Sequence, residues 1–216
     1  IPPSALSLMR KDGSRAEVFS SHTLIHPIDG ETELFCVDVD LSERKQIEQV
    51  QRFLAQAHSG QNEEPFFKTL ARYLAGALEM EFVCIDQLEG DGLTARTIAV
   101  WHDDHFEDNI SYALKDTPCG EVVGKHVCCF PQDVAALFPD DMILQDLRAE
   151  SYVGVTLWSH TGQAIGLIAA IGRRPLRHPA TAETILQIVA ARAAGELERQ
   201  MAGDVLHTTL KRFEIM

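Results

Sequence analysis

The chain contains 216 residues, of which 45% are hydrophobic, and its formal net charge is −13. This acidity argues against a non-specific nucleic-acid binder or an anionic-membrane binder, because both are normally basic. The sequence shows neither an apolar run of the ~20 residues that span a membrane nor a signal peptide.

The five cysteines are odd in number and include no CxxC pair. We therefore expect neither a disulfide framework nor a metal site, and the sequence requires no cofactor. Reduced thiols predict a cytoplasmic location. The chain begins with Ile1 rather than a start methionine, so we expect a fragment of a longer protein.

Three strands are predicted before residue 40. Leu6 and Leu8 belong to the first, residues 16–22 alternate as a second, and residues 34–39 form a third after the Asp29-Gly30 turn. Three strands in so short a piece cannot bury both faces of a sheet alone.

A helix is predicted to follow, with Asp40 as its N-cap and Glu43 three residues later. The motifs RKDGS and VDVDLSERK, with the turn between them, resemble the C-terminal half of a PAS domain. Ser42 stands where that family usually has threonine. The resemblance covers about the first 45 residues, and it implies that the ligand cavity of such a domain is incomplete here.

The predicted helix carries an apolar stripe at 3,4,3 spacing, formed by Ile47, Val50, Leu54 and Ala57. This spacing suits either a dimeric coiled coil or an ordinary packed helix. Residues 58–62 break it, and a second helix is predicted over 66–78 with Phe67, Leu70, Leu74 and Leu78 on one face.

The middle of the chain mixes strands with irregular pieces. Strands are predicted at 81–88, 93–101 and 110–114, a polar loop at 102–109, short helices at 116–124, 133–138 and 142–149, and a strand-like piece at 126–130. Residues 151–175 then form an apolar hairpin, and a long helix is predicted from about 180 to 213.

Small residues cluster on the faces of the hairpin strands, namely Gly154 on the first strand and Gly166 and Ala170 on the second. Either a helix backbone approaches closely at these positions, or a cavity opens there. Both strands are apolar on both faces, which indicates a central pair covered on each side.

The order of elements and three sequence blocks resemble a GAF domain over about residues 50–200. The blocks are TPCGEVVGKHVCCFPQDVAALFPDD, AESYVGVTLWSHTGQAIG and RRPL. The resemblance implies an α+β fold with a central, mostly antiparallel sheet. It places the terminal helices on one face and a roof of irregular helices and loops (residues 102–149, hereafter the roof) on the other.

The predicted division of the chain is a PAS portion at 1–40, a linker helix at 41–60, a GAF domain at 61–200 and an output linker helix at 201–216. A small-molecule ligand would lie between the sheet and the roof. The expected lining is aromatic with a few polar groups, and consists of Trp101, Tyr112, Cys119, Cys128, Phe130, Phe138, Tyr152, Thr156 and Trp158.

Several residues resemble chemical motifs but lack part of the pattern that each motif requires. His102 and His105 could bind a metal with a carboxylate, but nothing fixes their geometry. The bilin-attaching cysteine of GAF chromophore proteins is usually followed by histidine, whereas Gly120 follows Cys119 and Phe130 follows Cys129. The Asn-Lys-Phe-Asp-Glu motif of cyclic-nucleotide GAF domains is absent. His207 lacks the acidic neighbour and proline of a kinase phosphoacceptor.

The predicted function is therefore a non-catalytic sensory or regulatory GAF module of a bacterial signalling protein. We expect a homodimer, formed through the flanking helices, that passes a signal to an output domain of the diguanylate cyclase or histidine kinase type in the same chain. Two alternatives remain open: a redox enzyme of the free methionine sulfoxide reductase kind that uses cysteines, or a structural dimerisation spacer.

Overall fold

The fold was determined from a computed structural model that describes residues 3–11, 13, 15–26, 30–57, 64–90 and 92–214, with side chains up to residue 204. Two compact units make up the chain, residues 1–49 and residues 50–216. Each unit is described separately below. In the described part of the chain, no helix combines the length and the apolar character needed to cross a membrane.

The smaller unit is an antiparallel sheet of three strands in the order β1-β2-β3. The strands are β1 (Ser4–Met9), β2 (Arg15–Ile25) and β3 (Glu33–Asp40), and helix α1 (Ser42–Ala57) starts in this unit. All three predicted strands are confirmed. The predicted turn residue Asp29 and the Asp12 of the RKDGS motif lie outside the described residues.

Asp40 caps the start of α1 as predicted, although the helix begins two residues later. Its Oδ1 accepts a hydrogen bond from the backbone N–H of Ser42 at 2.8 Å. Hydrogen bonds from Ser42, followed by the guanidinium of Arg10, hold the pKa of Asp40 below its usual value. The negative charge therefore stays at the helix N-terminus, where the macrodipole favours it.

The larger unit is built on seven strands that all pair antiparallel. The path is β6-β5-β4-β10-β9-β8, and β7 pairs with β5. The strands are β4 (Phe82–Leu88), β5 (Thr94–His102), β6 (His105–Glu107), β7 (Ser111–Ala113), β8 (Val127–Phe130), β9 (Ser151–Trp158) and β10 (Ala164–Gly172). The helices are α2 (Phe66–Leu78), α3 (Pro118–Val122), α4 (Val134–Leu137), α5 (Met142–Leu147) and α6 (Pro179–Glu214).

Two apolar cores lie on opposite faces of this sheet. On one face α2 and α6 pack against the sheet, and Leu74, Ile168 and Leu186 are completely buried there. On the other face the helices of the roof cover a second core that includes Leu144 and Leu167. The predicted antiparallel sheet, with terminal helices on one side and irregular elements on the other, is confirmed.

The small residues of the hairpin do not open a cavity within the described residues. Gly166 faces α6, and a Cβ built there would lie 2.8 Å from Cδ2 of Leu197. Gly154 faces the roof, and a Cβ built there would meet the Tyr152 hydroxyl at 2.5 Å and Cγ2 of Val122 at 2.9 Å. Close packing therefore explains both glycines, one on each face of the sheet.

The predicted polar loop at 102–109 is wrong in one respect, because it contains strand β6. Asp103 and Asp104 adopt positive φ angles of 41° and 68° between the paired residues His102 and His105. Aspartate tolerates the left-handed region better than most residues, so these two can form a tight hairpin turn without glycine.

Candidate functional site

A cluster of polar side chains is buried on the roof side of the sheet. Asp86 on β4 is fully buried, and its Oδ2 accepts a hydrogen bond from the Tyr112 hydroxyl at 2.9 Å. The Cys84 thiol donates to the same oxygen at 3.3 Å. Beside them, the buried Tyr152 hydroxyl donates to Sγ of Cys119 at 3.4 Å. The cluster thus joins a strand of the sheet to β7 and α3 of the roof.

Burial raises the pKa of Asp86 from its ordinary value to about 6, although the hydrogen bonds from Tyr112 and Cys84 act in the opposite direction. The other carboxylate oxygen, Oδ1, is buried and has no hydrogen-bond partner among the described residues. A carboxyl in this environment changes its charge near neutral pH.

The thiol of Cys84 is held in the neutral form. Cys84 forms a hydrogen bond with Cys119, is buried and lies near Asp86. These three effects together raise the pKa of Cys84 well above its usual value. Burial likewise raises the pKa of Tyr152. Because the thiolate is the nucleophilic form, Cys84 is a poor nucleophile in this structure.

Two further hydrogen bonds hold helix α3, the first to the sheet and the second to its own N-cap within the roof. Oγ1 of Thr156 on β9 donates a hydrogen bond of 2.8 Å to the carbonyl of Val122 at the end of α3. At the other end of α3, the Thr117 side chain accepts a hydrogen bond of 3.1 Å from the backbone N–H of Gly120. Helix α3 is therefore fixed at both ends.

A groove of about 530 Å³ opens on the outer side of the roof. It lies between the β4–β5 turn, the start of α3 and the α4–α5 loop. Its lining consists of Gly92, Leu93, Leu114, Lys115, Asp116, Thr117, Gly120, Glu121, Val123, Leu137, Phe138, Pro139 and Asp140. This volume falls within the range of small-molecule sites.

Comparison with known proteins identifies the fold. No protein-family model and no curated protein matches this chain. Among solved structures, the GAF domain of an Acinetobacter phosphoenolpyruvate-protein phosphotransferase superposes with a TM-score of 0.59 at 14% identity, over 74% of this chain and 97% of that one. The fold is GAF-like.

Two other solved structures share this fold at similar distance. The chromophore-binding domain of a Stigmatella aurantiaca bacteriophytochrome gives a TM-score of 0.56 at 12% identity, over 90% of this chain and 73% of that one. The free methionine-R-sulfoxide reductase of Neisseria meningitidis gives a TM-score of 0.57 at 16% identity, over 74% and 93%.

The GAF-like fold brings most of the predicted lining residues to the roof side. The second core contains Tyr112, Cys119, Cys128, Phe130, Phe138 and Tyr152. Phe130 and Phe138 meet edge to face with ring centroids 5.2 Å apart. Of the nine predicted residues only Phe138 also lines the groove. Tyr112, Cys119, Cys128, Phe130 and Tyr152 instead fill the space between sheet and roof.

Two predicted residues stand apart from this group. Trp101 lies instead on the helix side, where its ring meets Phe106 at 4.7 Å and the guanidinium of Arg72 at 5.9 Å. Trp158 lies near His126 with ring centroids 5.9 Å apart, and its buried Nε1 has no partner among the described residues.

Sequence reasoning missed Asp86 and Cys84. The available signal was an aspartate inside the apolar strand EFVCIDQL, where a charged residue is costly unless it is paired. Neither residue belongs to a sequence motif that would indicate a site.

His102, one of the two histidines considered as metal ligands, is held by contacts with neighbouring side chains. Nδ1 of His102 lies 2.5 Å from Oε1 of Glu107, and its Nε2 accepts a hydrogen bond from Arg173 at 3.2 Å. Over the part of the chain that the structure describes, no group of three or more His, Cys, Asp or Glu side chains could hold a metal ion. The side chain of His207 lies outside the described residues.

Proposed function

We propose that this chain is a non-catalytic sensory or regulatory GAF module that relays a signal through its flanking helices. The observation that carries the proposal is helix α6. It packs on the sheet-side core through the buried Leu197 and the partly buried Met201 and then continues without interruption to Glu214. One rigid element thus connects the sheet to whatever follows it.

The contact between α6 and the sheet supports a mechanical connection. Gly166 on β10 lets the strand approach Leu197 so closely that a methyl group would not fit between them. A well-packed interface of this kind transmits small shifts because it cannot absorb them by compression. To switch the output fully, a ligand must bind one arrangement of the helix more tightly than the other by several kcal/mol.

The assembly that follows from this proposal is a parallel homodimer in the cytoplasm. Its flanking helices, α1 and α6, would pair with those of a second copy. An output domain of the diguanylate cyclase or histidine kinase type, in the same chain, would receive the signal. The N-terminal strands would belong to a PAS domain.

The test is an insertion series in α6 of a chain fused at Met216 to a diguanylate cyclase domain. Insertions of one to seven residues after Asp204 turn the downstream domain by about 100° per residue. We expect cyclase activity to vary periodically, with a minimum or maximum near two inserted residues. Activity should return to within about twofold of the parent at seven, because a coiled coil repeats every two turns.

Activity that does not depend on insertion length would contradict the relay and favour the dimerisation spacer. Sedimentation of every variant is the control, because a monomeric variant would lose cyclase activity for a different reason. A parent chain that sediments as a monomer would remove both the relay and the spacer.

A second candidate is a reductase of free methionine sulfoxide. The likeness to the Neisseria enzyme and the hydrogen-bonded pair of Cys84 and Cys119 favour it. The burial of both thiols and the raised pKa of Cys84 weigh against it. We expect no turnover of free methionine-R-sulfoxide with a thiol reductant. Turnover that is lost in Cys119→Ser would establish the enzyme instead.

A further inference from the structure

The groove on the outer side of the roof has the features of a ligand site. It is about 530 Å³ in volume, and its floor is formed where Gly120 of α3 meets the backbone carbonyl of Leu114. A side chain at position 120 would collide with that carbonyl, so the close approach depends on glycine. The inference below rests on the sensory function proposed above and names the chemistry of the ligand.

The walls of the groove are apolar and reach the surface. Leu93 is 68% exposed and Leu137 is 57% exposed, although both are large hydrophobic residues. Phe138 and Leu114 line the groove deeper in, where both also pack with the second core. An apolar body of a ligand would therefore find aliphatic and aromatic contacts on several sides.

The charged groups of the groove are mainly acidic. Asp116, Glu121 and Asp140 line it, against a single lysine, Lys115. The ammonium of Lys115 lies 3.7 Å from Asp116, and the two side chains are 87% and 63% exposed, so solvent screens this ion pair. Glu121 forms an ion pair of 2.7 Å with Lys125, which is not among the lining residues. The groove therefore has an excess of negative charge over positive charge.

From this combination we infer that the groove binds a small organic ammonium compound that carries an apolar body. Carboxylates favour a cation, and Phe138 among the lining residues adds an aromatic contact for the apolar body. A small hydrated metal ion would gain nothing from the apolar contacts of Leu93, Leu137 and Phe138, whereas an organic cation gains them together with the charge interaction. A neutral molecule of the same shape would gain the apolar contacts only.

The test is titration calorimetry with two pairs of probes. Choline is compared with its neutral analogue 3,3-dimethylbutan-1-ol, and phenethylamine with 2-phenylethanol. We expect at least one cation to bind about tenfold more tightly than its neutral partner. We also expect that binding to weaken as salt is added, because partly exposed charges are screened.

Variants locate the site. Asp116→Asn combined with Asp140→Asn should weaken cation binding by about tenfold and leave the neutral analogue unaffected. Phe138→Leu should weaken both members of the phenethyl pair. The matched control is Asp146→Asn, an exposed aspartate on α5 that does not line the groove, and it should bind as the parent does.

Three results would overturn the inference: no binding of either cation up to about 10 mM, equal affinity for the cation and its neutral analogue in both pairs, or unchanged cation affinity in the double variant. None of them would bear on the relay itself, because the insertion series in α6 is measured without ligand. Conversely, if cyclase activity did not depend on insertion length but the cation still bound, the chain would bind a ligand without relaying a signal through α6.

Discussion

The phenol of Tyr112 donates a hydrogen bond of 2.9 Å to Oδ2 of the fully buried Asp86. This contact connects strand β7, next to the roof helices, with β4 in the interior of the sheet. Asp86 is costly in its charged form because burial removes its hydration, and its Oδ1 has no protein partner among the described residues. The free energy of burying Asp86 therefore depends on pH.

The first prediction concerns the pH dependence of stability. Because the pKa of Asp86 is about 6 in the folded state and 3.8 ordinarily, the folded state binds its proton more tightly than the unfolded state does. The contribution of this group to the free energy of unfolding therefore falls as the pH rises from about 4 to about 6, and levels off above that. The total fall is on the order of 2–3 kcal/mol.

Asp86→Asn should remove this part of the pH dependence, because the amide keeps an acceptor for Tyr112 but cannot ionise. Denaturant unfolding at pH about 4.5 and about 7.5 measures the difference for the variant and the parent. Asp146→Asn, an exposed aspartate of the same unit, is the control. Identical pH profiles for Asp86→Asn and the parent would show that the carboxyl is not destabilised by burial.

The second prediction concerns the contact between β10 and α6. Gly166→Ala should reduce the free energy of unfolding by about 1–3 kcal/mol, because the added methyl would overlap Leu197 and the backbone carbonyl of Asp86. Gly195→Ala is the matched control, since it lies exposed in α6 with nothing near the added Cβ. That change should stabilise the chain by about 0.5–1 kcal/mol. Equal effects would show that the close approach at Gly166 is not tight.

The third prediction concerns the attachment of the roof. Thr156→Val preserves the shape of the side chain but leaves the buried Val122 carbonyl without the Thr156 hydroxyl. We expect a loss of about 1–2 kcal/mol in the free energy of unfolding. In Thr184→Val the lost bond is to Ala180 within α6, and the change should stay within about 0.5 kcal/mol. Amide hydrogen exchange of α3 should also rise in Thr156→Val alone.

The fourth prediction concerns thiol reactivity. Cys36 is exposed, whereas Cys84 and Cys119 are buried. Burial raises the pKa of the half-buried Cys128 and Cys129, in the latter case to about 11. Labelling with Ellman's reagent should thus show one fast thiol, slow reaction at Cys128 and Cys129, and full reaction only in denaturant. Cys36→Ser should abolish the fast phase, and a remaining fast phase would place a reactive thiol in the larger unit.

Helix α2 illustrates what sequence can predict. Phe67, Leu70, Leu74 and Leu78 recur at helical spacing, and all four are buried on one face of the helix. The predicted bounds of 66–78 are confirmed because the amphipathic period alone determines such a helix. The hairpin of β9 and β10 and the long helix α6 were also predicted, the hairpin from two apolar strands around a turn and the helix from its long run without an internal proline.

Trp101 illustrates what sequence could not predict. The register between β4 and β5 shifts between Ile85 and Asp86, so alternation along β5 changes face at that point. Ala95 packs with the roof-side core, whereas Ala99, four residues later, packs with the helix-side core. A β-bulge leaves no reliable trace in a hydrophobic pattern, because both faces of this sheet are apolar.

The cluster around Asp86 shows a similar limit. Its members come from β4, β7, α3 and β9, and only the packing of the roof on the sheet brings them together. Tyr112, Cys119 and Tyr152 were predicted to lie together as ligand-lining residues, whereas the structure shows them hydrogen-bonded or packed as core. Composition cannot distinguish a lined cavity from a filled one, since both use aromatic residues with a few polar groups.

Strand β9 contacts the roof with one face and the core beneath the terminal helix with the other. Thr156 points to the end of α3, while its neighbours Val155 and Leu157 pack into the core beneath α6. The 2.8 Å bond between Thr156 and Val122 ceases to be a hydrogen bond once α3 is displaced by more than about 0.5–1 Å. A larger displacement of α3 must therefore either break this hydrogen bond or move strand β9, against which α6 packs.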